Sequence, residues 1–193
     1  MKAFPFARVF AVAGVLSGVI LVVNAAKRAG ILPSVAATQL VAPFASLFAL
    51  ALVIGIVVAT PAMRGRLGAI GALLYGASLA GFVAAEWVIN LVFRYVDAEL
   101  ISELRAGPLG IAFTVTSVGV LIGGLVFFIA LWRVPKSPKI AIIVTMISSV
   151  PVALRTLFPE IVLDVSLAAL AVGVGWLSVW LLRTATAKVV TAV

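Results

Sequence analysis

A single carboxylate stands where a carboxylate is costly. Glu86 lies inside the run Gly81-Phe82-Val83-Ala84-Ala85-Glu86-Trp87-Val88-Ile89-Asn90, and nothing else between Leu67 and Phe93 is charged. A charge at bilayer depth costs about 2.5–3.5 kcal/mol on insertion scales, so its side chain must face protein or water instead of acyl chains. At about 100° per residue, Asn90 falls about 40° from Glu86 around a helix, Tyr75 about 20° and Arg94 about 80°. Tyr75, Glu86 and Asn90 therefore read as a polar stripe with Arg94 at its edge. A carboxylate beside a carboxamide and a guanidinium can anchor a polar ligand, form a structural ion pair, or carry a proton.

Much other chemistry is excluded. The chain has no histidine and no cysteine, which removes imidazole metal ligands, His general bases, thiolate nucleophiles and disulfides. Its lysines are Lys2, Lys27, Lys136, Lys139 and Lys188, all at or beyond the ends of apolar runs, so a mid-membrane Schiff base has no amine. Acid–base catalysis usually needs paired acids or a nucleophile with its base. Glu86 is alone at that depth. The expectation is no enzyme, no cofactor and no metal.

The elements that must hold Glu86 follow from composition. Of 193 residues 65% are hydrophobic and 10% charged, and mean hydropathy is +1.34. Too few charges exist to cover a water-facing surface, so lipid is the solvent. The fold class is an all-α polytopic bundle in one domain, with six transmembrane helices at about 6–26, 36–60, 67–93, 108–132, 140–158 and 161–182. Each is long enough for a hydrocarbon core about 30 Å thick. The first resembles a signal peptide, with a passable cleavage site at Val23-Asn24-Ala25, and is read as a retained signal anchor. Residues 95–107 interleave Asp97, Glu99, Glu103 and Arg105 with Leu100, Ile101 and Leu104, which predicts a short amphipathic interfacial helix. Pro151 should kink the fifth span, and a short tail follows from Thr184.

An even number of spans puts both ends of the chain on one side. That side collects Lys2, Arg8, Arg64, Arg66, Arg133, Lys136, Lys139, Arg183 and Lys188. The other has Lys27, Arg28, Arg94, Arg105 and Arg155 with the acids Asp97, Glu99, Glu103, Glu160 and Asp164. The positive-inside rule makes the termini cytoplasmic, in a plasma membrane. The basic face should attract anionic headgroups. Nucleic-acid binding is not implied by the pI near 10.9, because the basic residues are dispersed and no soluble domain carries them. Trp132, Trp176 and Trp180 gather near the cytoplasmic interface as belt residues.

Helix 3 then runs outward, placing Glu86 and Asn90 in the outer half. Gln39 and Ser46, Thr114, Thr116 and Ser117, Ser148, Ser149 and Arg155, and Asp164 and Ser166 fall in the outer halves of their own helices. Three readings compete. Glu86 pairs structurally with Arg155 or Arg94; or Glu86 and Arg155 anchor a small polar or amphipathic ligand in an outward-facing cavity; or Glu86 titrates in a proton-coupled carrier. Burial raises a carboxylate's pKa and an adjacent arginine lowers it, so the sign of the shift stays open.

Two GxxxG pairs, Gly14/Gly18 and Gly119/Gly123, permit close helix approach. The segment Gly123-Gly124-Leu125-Val126-Phe127-Phe128-Ile129-Ala130-Leu131-Trp132-Arg133, followed by Pro138-Lys139 and a new apolar helix, resembles a pattern in small six-helix bacterial membrane proteins of unknown function. That resemblance implies a bacterial origin and six spans, and carries no activity. A three-plus-three inverted repeat fits the span count, without a convincing match between the halves. With so little mass outside the membrane, the first functional expectation is action by helix–helix contact, as a homo-oligomer or an accessory subunit of a membrane complex. The alternative is a small carrier or a ligand- or lipid-binding protein built on the cavity around Glu86.

Overall fold

A computed structural model describes residues 5–190, with side chains from 6 to 185; Lys2, counted above in the basic face, and residues 191–193 lie outside the described residues. The helices are α1 (Pro5–Arg28), α2 (Ala36–Val41), α3 (Phe44–Ala59), α4 (Arg66–Trp87), α5 (Ala98–Ala106), α6 (Pro108–Trp132), α7 (Lys139–Ala153) and α8 (Glu160–Val190). A π-turn, Val88–Val92, extends α4, and 3-10 turns occupy Pro61–Arg64 and Arg155–Leu157. No strand occurs among the described residues.

The long helices are apolar nearly all round and must be buried in protein or lipid. Among the described residues five segments are long and apolar enough to cross a membrane: Phe6–Arg28, Ala36–Ala59, Arg66–Val92, Pro108–Trp132 and Glu160–Ala185. The chain is thus a multi-pass membrane protein. Three expectations shift in detail. The span at 36–60 is interrupted where Pro43, which lacks a backbone donor, caps α3. The fifth stops at Ala153 instead of 158, making α7 15 residues long. Pro151 withholds a backbone N–H near its end, and at about 1.5 Å per residue the helix falls short of a full hydrocarbon thickness. Finally, α8 continues to Val190, through residues expected to be tail.

Six helices form a closed ring in the order α1, α3, α4, α6, α7, α8 and back to α1, with α3 also touching α8 across the middle. Small residues set the closeness. Gly18 packs on α8, where an added Cβ would stand 3.1 Å from Ala171 O. Gly14 meets Ser178 and Leu52, while Gly119 meets Ser78 and Gly123 the backbone of Leu74 and Tyr75. Both GxxxG pairs are therefore occupied inside the chain. Phe127, Ile56, Leu131, Ile142, Leu177 and Leu181 fill the fully buried centre.

All the links that follow α1, α4 and α7 lie at one end of this ring, called here the Glu86 end. Lys27 reaches Asn90, Arg28 reaches Glu160 and Asp164, and Arg94 reaches Ser34. Those contacts tie the ends of α1, α4 and α8 and the start of α2 together. At the opposite end, the Trp180 indole donates to Lys136 O at 3.0 Å and Lys139 stands over Trp132 at 4.9 Å.

Candidate functional site

Glu86 occupies the last turn of α4, just before the π-turn. The Asn90 amide donates to its Oε2 at 2.8 Å and to its main-chain oxygen at 2.9 Å. Each contact satisfies an acceptor that would otherwise be costly in a partly buried place. The second also substitutes a side-chain donor for a backbone one where the helix loosens, a common setting for π-turns at functional sites. Asn90 Oδ1 in turn accepts from Lys27 Nζ at 3.0 Å. The result is a relay from α1 to α4: ammonium, carboxamide, carboxylate.

Two cavities meet at Glu86. The larger, about 340 Å³, lies between the Glu86 end of α4, the start of α6 and the end of α7, with Arg105 of α5 on its wall. Its polar lining comes from Glu86, Arg155, Arg105, Thr114, Thr116, Ser117 and Thr156; Phe82, Phe113 and Val152 give it an apolar side. The smaller, about 170 Å³, lies between α1, α4 and α8 and presents Asn24, Lys27, Arg28 and Asn90. Glu86, Arg155, Phe82, Ile89 and Val152 line both, so the charged pair stands in the partition. Asn24 Oδ1, buried on the smaller side, accepts no hydrogen bond from the described residues.

Of the three readings, the structural one paired Glu86 with Arg155 or Arg94, and neither pair is formed. Among the described residues the ion pairs within 4.0 Å are those of Arg28, with Glu160 and with Asp164, the latter at 3.2 Å. Lys27 and Arg155 both lie within electrostatic reach of Glu86, and Arg155 also feels the positive charges of Arg105 and Arg28. The Arg155 guanidinium, on the 3-10 turn after α7, makes no ion pair with the described residues. Arg105 rests over the Phe93 ring at 5.3 Å, a contact that orients a guanidinium without neutralising it.

The other expected members divide. Thr114 lines the larger cavity while its hydroxyl donates to Gly110 O at 2.9 Å, and Ser117 lines it too. Tyr75 is elsewhere: it is buried, its ring tilted 5.7 Å from that of Phe127 and edge-on 5.6 Å from that of Phe128, and it serves packing. The helical wheel gave its angle correctly but not its depth, since 11 residues at about 1.5 Å each separate it from Glu86 by about 16 Å along the axis. Arg94 also leaves the stripe, donating to Ser34 Oγ and Ser34 O at 2.9 Å each. Gln39 is buried beside it, and its oxygen faces the guanidinium, accepting from Arg94 Nε at 2.9 Å. This cluster secures the start of α2 and contributes nothing to either cavity wall. Ser148 and Ser149 donate to their own helix, at Val144 O and Met146 O, and Asp164 holds Arg28. Ser46 and Ser166 line neither cavity.

Lys27, Arg105 and Asn24 were not anticipated as site residues. Their signal was available in depth: residues at the ends of spans one and three must lie at one level. Gly119 and Gly123 set the α4–α6 approach beneath the site, and Gly14 and Gly18 the α1–α8 approach.

No family model, curated protein or solved structure matches this chain. No group of three or more acidic residues that could hold a metal occurs among the described residues.

Proposed function

We propose that this protein binds a small polar or amphipathic molecule in the membrane, in the cavity around Glu86 and Arg155, as a binding protein or a small carrier. One observation carries the reading: two oppositely charged side chains line the same pair of adjoining cavities without being ion-paired to each other. A purely structural pair would close to direct contact, because partly buried charges are costly when unpaired. Concave sites with an apolar lining and a few convergent polar groups are the usual form of ligand pockets. The helix–helix reading rests on the small mass outside the membrane and on the GxxxG pairs, and the glycines of those pairs are occupied within the chain.

We read the ring as six spans, with α7 and its following turn forming the short one and the Glu86 end turned away from the cytoplasm. Support comes from the opposite end, which collects Arg64, Arg66, Arg133, Lys136, Lys139 and Arg183 with no acid. The absence of native cysteine makes this direct to test. In intact cells, a cysteine at Ser102 should react with an impermeant maleimide and one at Ala62 should not; the reverse pattern overturns the orientation. For binding, native mass spectrometry of protein released from nanodiscs should detect a retained small molecule. Ser117→Leu, which fills the larger cavity, should lose it. Retention of the same adduct by that variant would remove the cavity as the site.

A further inference from the structure

The binding reading leaves the ligand's chemistry open, and the charge balance of the larger cavity narrows it. We propose that the cavity takes an amphipathic anion, with a carboxylate or phosphate head between Arg155 and Arg105 and an apolar body that exits between α6 and α7. This rests on the cavity being a ligand site, and it deepens that reading.

The other charges that line the two cavities already have partners. Glu86 is bonded to Asn90, and Asn90 to Lys27, so the ammonium balances the carboxylate through one amide. Arg28 is held by Glu160 and Asp164. Arg155 and Arg105 remain. Both line the larger cavity, neither is ion-paired among the described residues, and each lies in the other's repulsive field. Two guanidiniums set against one already balanced carboxylate give that wall a net positive charge. A guanidinium fork matches the paired oxygens of a carboxylate or phosphate, and Thr116 and Ser117 bring hydroxyls to the same wall.

The size and the mouth supply the apolar part. About 340 Å³ is near the small end of ligand pockets, enough for a head and the first carbons of a chain. Val118 of α6 and Leu157 beyond α7 line the cavity yet are 43% and 73% exposed, so the rim opens on the outer surface of the ring. Among neighbours in the ring, α6 and α7 touch most sparsely. A chain can leave there without crossing the packed centre.

The test uses the whole protein in phosphatidylcholine nanodiscs and equilibrium binding of radiolabelled decanoate, acetate and decyltrimethylammonium. Decanoate should bind saturably, at one per chain. Arg155→Gln should weaken it at least tenfold, Val118→Trp should abolish it with every charge intact, and Arg66→Gln at the opposite end should leave it unchanged. Should Arg155→Gln not fold, Arg105→Gln replaces it with the same expectation. Acetate bound as tightly as decanoate would overturn the apolar body and identify a free anion as the ligand. Decyltrimethylammonium bound as tightly as decanoate, or decanoate binding indifferent to all these substitutions, would overturn the anion. Saturable cation binding lost in Val118→Trp would leave the cavity reading standing while this inference fails. No saturable binding of any probe would count against both.

Discussion

Near Gly71 and Gly123, α4 and α6 approach so closely that a Cβ on Gly71 would stand 2.6 Å from Phe127 N, and one on Gly123 2.7 Å from Leu74 C. Further along the same two helices, towards α7, a cavity of about 340 Å³ is lined by Glu86, Thr114 and Ser117. In the first region the residues are glycine and aromatic, and the gap is set by backbone against backbone. In the second, charged and hydroxylic groups join Phe82 and Phe113 around open space. One helix pair thus fixes the fold at one level and leaves room at another, which is how a small bundle combines rigidity with a site.

This contrast can be broken from either side. The largest effect is expected from Gly71→Val, which drives a branched side chain into the α6 backbone and should cost about 3 kcal/mol. A fall in the thermal midpoint in mild detergent, with aggregation, is the readout. Next is Asn90→Ala, which removes the shared donor of two Glu86 acceptors and the acceptor of Lys27. One such buried hydrogen bond left unmade costs about 1–3 kcal/mol, so a moderate drop in midpoint should accompany altered ligand binding. Arg28→Ala breaks an exposed double ion pair and should cost under about 1 kcal/mol, less still at high salt. Smallest is Ser117→Leu: extra volume placed in the open level should leave the midpoint within about 0.5 kcal/mol of the parent. If Ser117→Leu proved as damaging as Gly71→Val, the two levels would not differ in packing at all.

What the sequence made legible follows the same division. Long apolar runs bounded by Gly, Pro and basic residues placed α1, α4, α6 and α8, since lipid demands continuous helix wherever the chain crosses. The Glu86–Asn90 contact was also readable, because residues four apart share a helix face. The failures have specific causes. Tyr75 shared the angle of the stripe and not its depth. Arg94 follows a π-turn, where a widened helix departs from 100° per residue, and it swings to Ser34 and Gln39. The separation of Glu86 from Arg155 depends on where α7 ends, and a proline two residues before that end left the stopping point open. Lys27 looked like a loop residue because its run of helix outlasts its run of apolar side chains. The GxxxG pairs were found, but spacing alone does not distinguish a partner in the same chain from one in another.

Closure of the ring also has a consequence for how the protein is made. Arg28 meets Glu160 across 132 residues of chain, and Gly14 and Gly18 rest on a helix translated long after them. Until that helix arrives, the small-residue face of α1 is an unsatisfied seam in the bilayer, open to a chaperone or to the wrong neighbour. A chain stalled before Glu160 would therefore present that seam to membrane proteases, and the smaller cavity, walled in part by Leu163 and Leu167, closes last.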